Sequence, residues 1–436
     1  MTSPLLSWGR YPRLKQTAHP LFWGDDLSPA LDNVIANHGT TLAYGNGRSY
    51  GDSCLAVSDH VLHMRSLDRF IRVDWKKGTV LAEAGVTLAE ILSLSIPNGW
   101  FLSVSPGTQF VTLGGAIAND VHGKNHHLRG TFGNHVLGFN LFRLGEILDC
   151  SPTKNSELYS ATIGGLGLTG VIACAEIQLI PIKSSQIQSS VVRFGCLAEF
   201  FALSKELDHL HEYSVAWIDC LATGAHTGRG VFIVGDHSPY GSLEVNELSK
   251  LSVPLTPPIS LINNLSLRAF NTSYWLAHPA ISAQKQGDYQ PFFFPLDRIQ
   301  HWNRVYGAKG FQQYQCVIPE SIAEVVMKDL LAAIAESGQG SFLAVLKRCG
   351  DIQSPGLLSF PLEGTSLALD FPQRANLVPL FSRLDAIVRE AGGRLYAAKD
   401  AHMSGSDFRR SYPEWEKLEA LRDPLLISHF WKRVTE

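Results

Sequence analysis

Hydrophobic and polar positions follow two different patterns along this chain of 436 residues. Up to about residue 183, short β-rich runs such as GTVLAEAGV and GVIACAEIQLIPI alternate with glycine-rich turns. One amphipathic helix is predicted there, over Thr87–Leu94, after a strand that ends at Gly85. We therefore predict a β-rich first domain over residues 1–183.

From about residue 184, strand-like runs such as YSVAWIDCLAT and SLALDFP alternate with two amphipathic helices, over 321–338 and 376–393. Both helical patterns end at glycine, the residue that commonly follows a helix. This alternation of strand and helix patterns predicts an antiparallel sheet with helices in a second domain, 184–392. A tail, 393–436, carries the distinct motif LYAAKDAHMSG and a helix beginning near Tyr412. The fold class is therefore α+β.

Composition narrows the choice of function and location. The chain is 45% hydrophobic and 18% charged, which is typical of an ordered globular enzyme, and its net charge of -3 argues against a nucleic-acid partner. Seven scattered cysteines without a CxxC pair argue against a disulfide framework and for a reducing compartment. The N-terminal stretch has no apolar signal core, and no window of apolar residues is long enough to span a bilayer. We expect a cytoplasmic protein, with peripheral contact to the inner membrane as the alternative.

The apolar stretch 253–279 supports that alternative only in part. It contains prolines, asparagines and Arg268, so its pattern is not typical of a membrane-spanning helix. Two interpretations stay open: an irregular surface excursion over a pocket, or a flap that contacts a membrane or a lipid.

Two glycine-rich segments carry the candidate chemistry. The first, Leu102–His135, is rich in glycine and contains four histidines and a lysine. Glycine lets the main chain approach a ligand closely, successive N–H groups bind an anion, and a following helix N-terminus adds its dipole. The second segment, Ala43–Asp52, follows a predicted strand and suits a pyrophosphate cradle, although a decorated β-turn is the simpler reading. Together the two segments predict a diphosphate-containing cofactor.

Other motifs point away from competing chemistries. The literal GxGxxG at 165–170 precedes a β pattern rather than a helix, so we reject a Rossmann site and, with it, a nicotinamide dehydrogenase. Lys124 and Arg129 lie among the histidines at 122, 126, 127 and 135 and would repel a cation, so we predict no metal ligands. Lys399 either pairs with Asp400 or acts as a buried cation that tunes the site.

Taken together, these segments resemble the vanillyl-alcohol oxidase (PCMH-type) flavoprotein superfamily, and within it the decaprenylphosphoryl-β-D-ribose 2′-oxidase subgroup. The segments that carry the resemblance span nearly the whole chain: 45–52, 105–127, 131–136, 164–172, 213–224, 294–307, 313–319 and 392–400. The resemblance implies non-covalent FAD between two α+β subdomains, a substrate domain as a cap, and a tail that rejoins the FAD domain. The residues that match the family's FAD contacts are Ala43, Tyr44, Gly45, Asn46, Gly47, Arg48, Ser49, Tyr50, Gly51, Asp52, Ser53, Gly107, Thr112, Leu113, Gly114, Gly115, Asn119, Asp120, Val121, His122, Val171, Ile172 and Tyr396.

The resemblance also implies a reaction, the oxidation of a secondary hydroxyl of a sugar by hydride transfer to flavin N5. Catalytic roles fall to Lys399 and to a base that is either Tyr50 or His122. The substrate-side residues are Lys124, Trp217, Gln313, Gln315, Lys347, Ser366 and Ala368. Ser366 and Ala368 depart from the asparagine and cysteine of the mycobacterial member, which puts the substrate fit in doubt.

The substrate is expected to be a sugar or a polyprenyl-phosphate sugar. A different sugar or alcohol in a polysaccharide or natural-product pathway is the alternative. A FAD-binding protein without catalytic activity is a less favoured reading. If the chain works in a two-enzyme epimerase, the resemblance implies a NAD(P)H-dependent reductase as partner.

Overall fold

The computed structural model describes residues 5–246 and 251–436. Residues 1–4, part of the stretch on which no signal sequence is predicted, lie outside the described residues. The first half of the chain contains the strands β1 (Thr17–Pro20), β2 (Ala43–Tyr44), β3 (His60–His63), β4 (Phe70–Asp74), β5 (Thr79–Glu83), β6 (Trp100–Leu102), β7 (Val136–Arg143), β8 (Glu146–Cys150) and β9 (Val171–Pro181). Its helices are α1 (Leu27–His38), α2 (Leu88–Ser95), α3 (Leu113–Ala118), α4 (His126–Arg129) and α5 (Ser156–Thr162).

The remaining chain adds the strands β10 (Gln186–Phe194), β11 (Tyr213–Ile218), β12 (Gly230–His237), β13 (Leu251–Ser252), β14 (Lys285–Asp288), β15 (Ile299–Gln300), β16 (Phe311–Pro319), β17 (Ala344–Cys349), β18 (Gly364–Pro372) and β19 (Arg394–Leu395). Its helices are α6 (Leu197–Leu207), α7 (Asn264–Ala277), α8 (Tyr289–Phe293), α9 (Ala323–Ser337), α10 (Leu377–Glu390), α11 (Gly405–Ser411), α12 (Trp415–Leu421) and α13 (His429–Thr435).

Two sheets lie in the first half of the chain. One is a small parallel sheet in the order β1-β3-β2. The other is an antiparallel sheet in the order β4-β5-β9-β7-β8, with β6 paired to β9. Buried and half-buried residues alternate along much of β9, because one face packs on the core and the other is only partly covered. Mixed helices and antiparallel sheets confirm the α+β class.

The largest sheet has eight strands in the antiparallel order β14-β10-β12-β11-β17-β18-β16-β19. Its central strands are buried on both faces. The helices α6, α9 and α10 cover one face of this sheet. The other face is the floor of the cavity described below, so polar residues can stand on otherwise buried strands.

The predicted helices are largely confirmed. The helix predicted over Thr87–Leu94 is α2, which begins after Thr87 because the Thr87 hydroxyl accepts from the amide of Glu90 and the Glu90 carboxylate accepts from the amide of Thr87. The patterns at 321–338 and 376–393 form α9 and α10. The GxGxxG segment turns into β9 and opens no helix, as predicted.

Two local predictions are wrong. The helix expected near Tyr412 begins only at Trp415, because Pro413 disfavours helical backbone in the residue before it. The stretch 253–279 is not irregular throughout, since the Asn263 side chain caps the 14-residue helix α7 within it.

The tail contacts both halves of the chain. Near its start, Arg394 and Leu395 form β19 at the edge of the large sheet. Further along, Leu425 and Ile427 bond to Thr41 beside β2 through main-chain groups. Arg433 of α13 reaches the carboxylates of Asp52 and Asp400. The domain boundaries at 183/184 and 392/393 stay predictions.

Candidate active site

A cavity of about 560 Å³ lies between the two glycine-rich segments and the large sheet. Residues of the loop after β2, of the segment that leads into α3, and of the strands β16, β17 and β18 line it. The C-terminal segment closes it through Tyr396, whose hydroxyl donates to the main-chain oxygen of Asn119. Distant parts of the chain therefore meet around one cavity.

The loop after β2 presents free main-chain donors to the cavity. Among the described residues, the amides of residues 46–49 find no protein acceptor, and all four residues line the cavity. Gly47 has a φ of +58°, a conformation that turns successive amides towards one side. The side chain of Asn46 anchors the loop by donating to the oxygen of Phe110. This loop is built to hold an anion.

The start of α3 contributes less than the sequence suggests. The amide of Leu113 donates to Val86 O, that of Gly114 to Ala84 O, and that of Gly115 to Thr112 Oγ1. These three amides are therefore engaged within the protein. The free donors that fit a diphosphate come from residues 46–49 instead.

The cavity also has the space and the unsatisfied groups that a dinucleotide cofactor needs. A Cβ on Gly107 would meet no protein atom within 4 Å, and one on Gly115 would meet only Thr112 Oγ1, at 3.0 Å. Within the part of the chain that the structure describes, Ser53 Oγ, Ser105 Oγ and His122 Nδ1 are buried cavity atoms without a partner. Buried polar atoms normally have partners, so a ligand that supplies them fits this site.

Three cross-strand pairs form a polar floor opposite this loop. Register places Gln315 opposite Ala368 and Gln313 opposite Asp370 on β16 and β18. The third pair joins β17 and β18 and consists of Lys347 and Ser366. Side chains two residues apart on a strand share a face, so this floor collects polar groups from three strands.

His122 connects the cofactor side to this floor. Its Nε2 lies 3.0 Å from Gln315 Nε2, and its ring packs against the stacked pair of Phe360 and Tyr396 at centroid distances of 5.3 and 5.2 Å. Burial, followed by the charge of Lys347, holds the pKa of His122 well below its ordinary value. The imidazole is therefore neutral at physiological pH.

Three lysines surround the same space. Lys347 Nζ donates to Gly123 O at 2.6 Å, and Lys124 Nζ lies 5.8 Å from the ring centroid of Phe292. The third is Lys399, and burial lowers the pKa of all three to about 8. They keep a positive potential in the cavity at neutral pH, which favours an anionic substrate.

Lys399 does not pair with Asp400. That carboxylate bonds to Arg433 instead, at 2.9 Å, and lies beside His402. Lys399 Nζ lies 3.8 Å from the centroid of the Tyr50 ring. Of the two readings that the sequence leaves open, the structure favours the buried cation.

Sequence reasoning missed two buried carboxylates. Asp370 accepts from Gln313 Nε2 at 2.7 Å, and burial raises its pKa to about 7. Asp297 lines the cavity and accepts from the amide of Gln109, and burial raises its pKa to about 6. Asp370 follows Ala368 by two residues on the same strand face, a period-two signal that could have revealed it.

Most of the predicted residues line the cavity. Those that do are Ala43, Gly45, Asn46, Gly47, Arg48, Ser49, Tyr50, Ser53, Gly107, Thr112, Gly114, Gly115, Asn119, Val121, His122, Lys124, Ile172, Gln313, Gln315, Lys347, Ser366, Ala368, Tyr396 and Lys399. Their roles towards a cofactor or substrate stay predictions.

Seven predicted residues lie behind the cavity wall: Tyr44, Gly51, Asp52, Leu113, Asp120, Val171 and Trp217. Their contacts explain why. Asp120 accepts from Gly133 N and two serine hydroxyls, and Asp52 is bound by Arg433. Trp217 donates to Phe342 O and packs on Tyr274. Leu113 and Val171 are core residues.

A glycine-lined cavity with free amides, a polar floor and buried cations defines a protein that is suited to hold a diphosphate-containing cofactor beside an anionic ligand. Comparison with known proteins gives the family. The family described as FAD binding domain matches residues 25–151. Decaprenylphosphoryl-beta-D-ribose oxidase of Mycolicibacterium smegmatis is 35% identical over 97% of this chain and 95% of its own length. L-gulonolactone oxidase of Bos taurus is 33% identical over 31% of each chain.

The chain belongs to the PCMH-type FAD-binding family, with decaprenylphosphoryl-β-D-ribose oxidase among its relatives. It is an FAD-dependent oxidoreductase, and the resemblance noted in the sequence is confirmed. Within the described residues, no helix is long and apolar enough to cross a membrane.

Proposed function

We propose that this enzyme oxidises the 2′-hydroxyl of a polyprenyl-phosphate-linked ribose, with FAD held non-covalently. The observation that carries the proposal is the polar floor of Gln313, Gln315 and Lys347 facing the amides of the loop after β2 across one cavity. The whole-length similarity to a decaprenylphosphoryl-ribose oxidase supports this substrate class.

FAD, when bound, accepts a hydride at flavin N5. We propose that the free amides of the loop after β2 hold its diphosphate. Gly107 and Gly115, which have no side chain, leave room for one of its rings to lie close to the main chain. The Nε2 atom of His122 is hydrogen-bonded to Gln315 Nε2, and this residue would lie where cofactor and substrate meet.

The electrostatics favour His122 over Tyr50 as the base that takes the hydroxyl proton. A neutral imidazole has a lone pair that can accept a proton, and the burial that keeps His122 neutral also makes it a weaker base than a free imidazole. Burial, followed by the charges of Asp370 and Asp297, raises the pKa of Tyr50 well above its ordinary value, so the phenol keeps its own proton. Lys399 would orient the hydroxyl and stabilise negative charge as it develops on oxygen.

The phosphate and the polyprenyl chain need different surroundings. Lys124 and Lys347 supply cations that suit a phosphate. For the polyprenyl chain, Ile299 and Gln300 line the cavity, and their strand β15 pairs with β13, which immediately precedes the apolar stretch. In that stretch Leu255, Ile259 and Leu265 are each more than 70% exposed. We propose that this surface, 253–279, receives the polyprenyl chain at the membrane face.

One feature favours a second candidate. Ser366 and Ala368 are small residues on the cavity floor, and both line the cavity. They leave room for a different sugar or alcohol in place of ribose. A NAD(P)H-dependent reductase that acts on the keto product remains the proposed partner.

Product analysis tests the proposal. Holoenzyme is incubated without oxygen with a polyprenyl-phosphate ribose, and separately with free sugars and simple alcohols, and the products are identified by mass spectrometry. We expect a product two hydrogens lighter from the polyprenyl-phosphate ribose, with the carbonyl at C2. Turnover of a free sugar or alcohol, but not of the lipid-linked ribose, would favour the second candidate.

A further inference from the structure

Three histidines, none of which lines the cavity, come together on the small parallel sheet. His19 lies in β1 and His60 begins β3, while His38 is the last residue of α1. The register pairs Thr17 with His60. His19 is two residues beyond Thr17 and therefore shares its face, diagonally next to His60. Helix α1 packs against β3, which brings its last residue to the same place.

The ring nitrogens converge closely. His19 Nε2 lies 2.9 Å from His60 Nδ1. The rings of His38 and His60 are stacked, with centroids 3.4 Å apart and planes 13° apart. One nitrogen from each of the three rings lies within 4.8 Å of the others.

These spacings bracket the separation of donor nitrogens in a tetrahedral metal site. Bonds of about 2.0–2.1 Å at a tetrahedral angle separate two donor nitrogens by about 3.3 Å. Stacked rings hold their nitrogen lone pairs in parallel planes, so the exposed ring of His38 must turn out of its stack on His60 to place a nitrogen on the same ion. Small side-chain rotations bring His19 to the same point, since its Nε2 already touches His60.

We propose that His19, His38 and His60 bind one divalent transition-metal ion of the zinc class, with solvent as the fourth ligand beside exposed His38. Three neutral imidazoles and an open position are a ligand set that zinc accepts. The ion takes the place of the proton between His19 and His60, and the ring that loses that proton carries one on its other nitrogen. No redox change is involved.

The site has a structural consequence. The ion joins β1, β3 and α1, and β3 lies between β1 and β2 in the sheet. Strand β2 leads directly into the loop whose amides face the cavity. His19, His38 and His60 lie outside the histidines at 122, 126, 127 and 135, from which the sequence predicts no metal ligands.

Calorimetric titration of the metal-stripped holoenzyme with zinc chloride tests the site. We expect one zinc ion per chain and a rise in the thermal midpoint on binding. His38→Ala removes an exposed ligand and should weaken binding at least about tenfold. His19→Gln should do the same, whereas His209→Ala, which changes an exposed histidine outside the cluster, should bind zinc as the unmodified protein does.

Flavin absorbance distinguishes a lost site from a lost fold. His38→Ala should retain its FAD and its rate of flavin reduction, because none of the three histidines lines the cavity. The proposal is overturned if the holoenzyme takes up no zinc, or if both His38→Ala and His19→Gln bind zinc as tightly as the unmodified protein.

Discussion

The ammonium nitrogen of Lys399 lies 3.8 Å from the centroid of the Tyr50 ring. A cation over an aromatic face is held by the negative charge of that face. The contact fixes a positive charge at the cavity wall. Within the described residues no carboxylate lies at ion-pair distance from it, and the neighbouring Asp400 is bound by Arg433. We therefore assign to Lys399 the electrostatic role in the proposed reaction.

Replacing this cation should slow catalysis without loss of the cofactor. We expect Lys399→Ala to purify yellow with FAD but to lower the rate of flavin reduction at least about 100-fold, the size of effect seen when a preorganised charge-stabilising group is lost. Stopped-flow absorbance measures the rate. Lys205→Ala, an exposed lysine on α6, is the control. Near-full reduction by Lys399→Ala would remove Lys399 from the mechanism.

The rate should also depend on pH in a defined direction. Burial lowers the pKa of Lys399 to about 8, so the ammonium is present below that pH and is lost as the pH rises through it. The reduction rate at saturating substrate should fall over the same range. Lys399→Arg keeps its charge to much higher pH and should extend the plateau. If the reduction rate of Lys399→Arg falls over the same pH range as that of the unmodified enzyme, the group that loses its proton there is a different one, such as Lys347.

The carboxylate of Asp370 should raise the pKa of Lys399. Its negative charge favours the charged form of Lys399, so Asp370→Asn should move the descending limb to lower pH by about one unit. The asparagine oxygen can still accept the hydrogen bond from Gln313, which keeps the floor intact. A pH profile tests this directly: a lower rate with an unmoved limb would indicate a purely structural role.

A side chain at Gly107 or Gly115 should exclude FAD from the cavity. A Cβ on Gly115 points into a space where Thr112 Oγ1, at 3.0 Å, is the protein atom it meets, and Gly107 faces open space. We expect both Gly115→Val and Gly107→Val to purify colourless but folded. Gly287→Val, in exposed β14, where a Cβ also meets no atom within 4 Å, should stay yellow. The ratio of flavin absorbance to protein absorbance measures the FAD content of each purified variant.

Arg433 should matter for stability rather than catalysis. It bonds to Asp52 and Asp400, both of which are buried, so Arg433→Met removes the arginine from both carboxylates and leaves Asp400 with the imidazole of His402. The cost of breaking such a network is about 3 kcal/mol. Urea unfolding should show the loss, and Arg410→Met, at an exposed arginine, should show almost none. Equal stability of the two variants would contradict the structural role of Arg433.

Local sequence predicted the parts of the site that depend on local backbone chemistry. The glycine-rich loop after β2, the capped helix α2 and the helices that end before glycine follow from residue types within a few positions. The rejection of a nucleotide-binding helix at 165–170 was equally local, because β-type alternation follows it.

The polar floor could not be predicted in this way. Gln313 meets Asp370 only through the register of β16 and β18, and register depends on how whole strands pack rather than on any short motif. Asp52 illustrates the opposite error: it lies in the cofactor loop but turns to Arg433, 381 residues away. Trp217 shares the floor face, yet its indole is held by Phe342 O outside the cavity.

Anaerobic stopped-flow mixing of holoenzyme with a polyprenyl-phosphate ribose tests the central claim most directly. The account predicts single-turnover bleaching of the oxidised flavin band, at a rate that saturates with substrate and that Lys399→Ala lowers at least about 100-fold. A flavin that stays oxidised with this substrate, while a free sugar or simple alcohol bleaches it rapidly, would contradict the account.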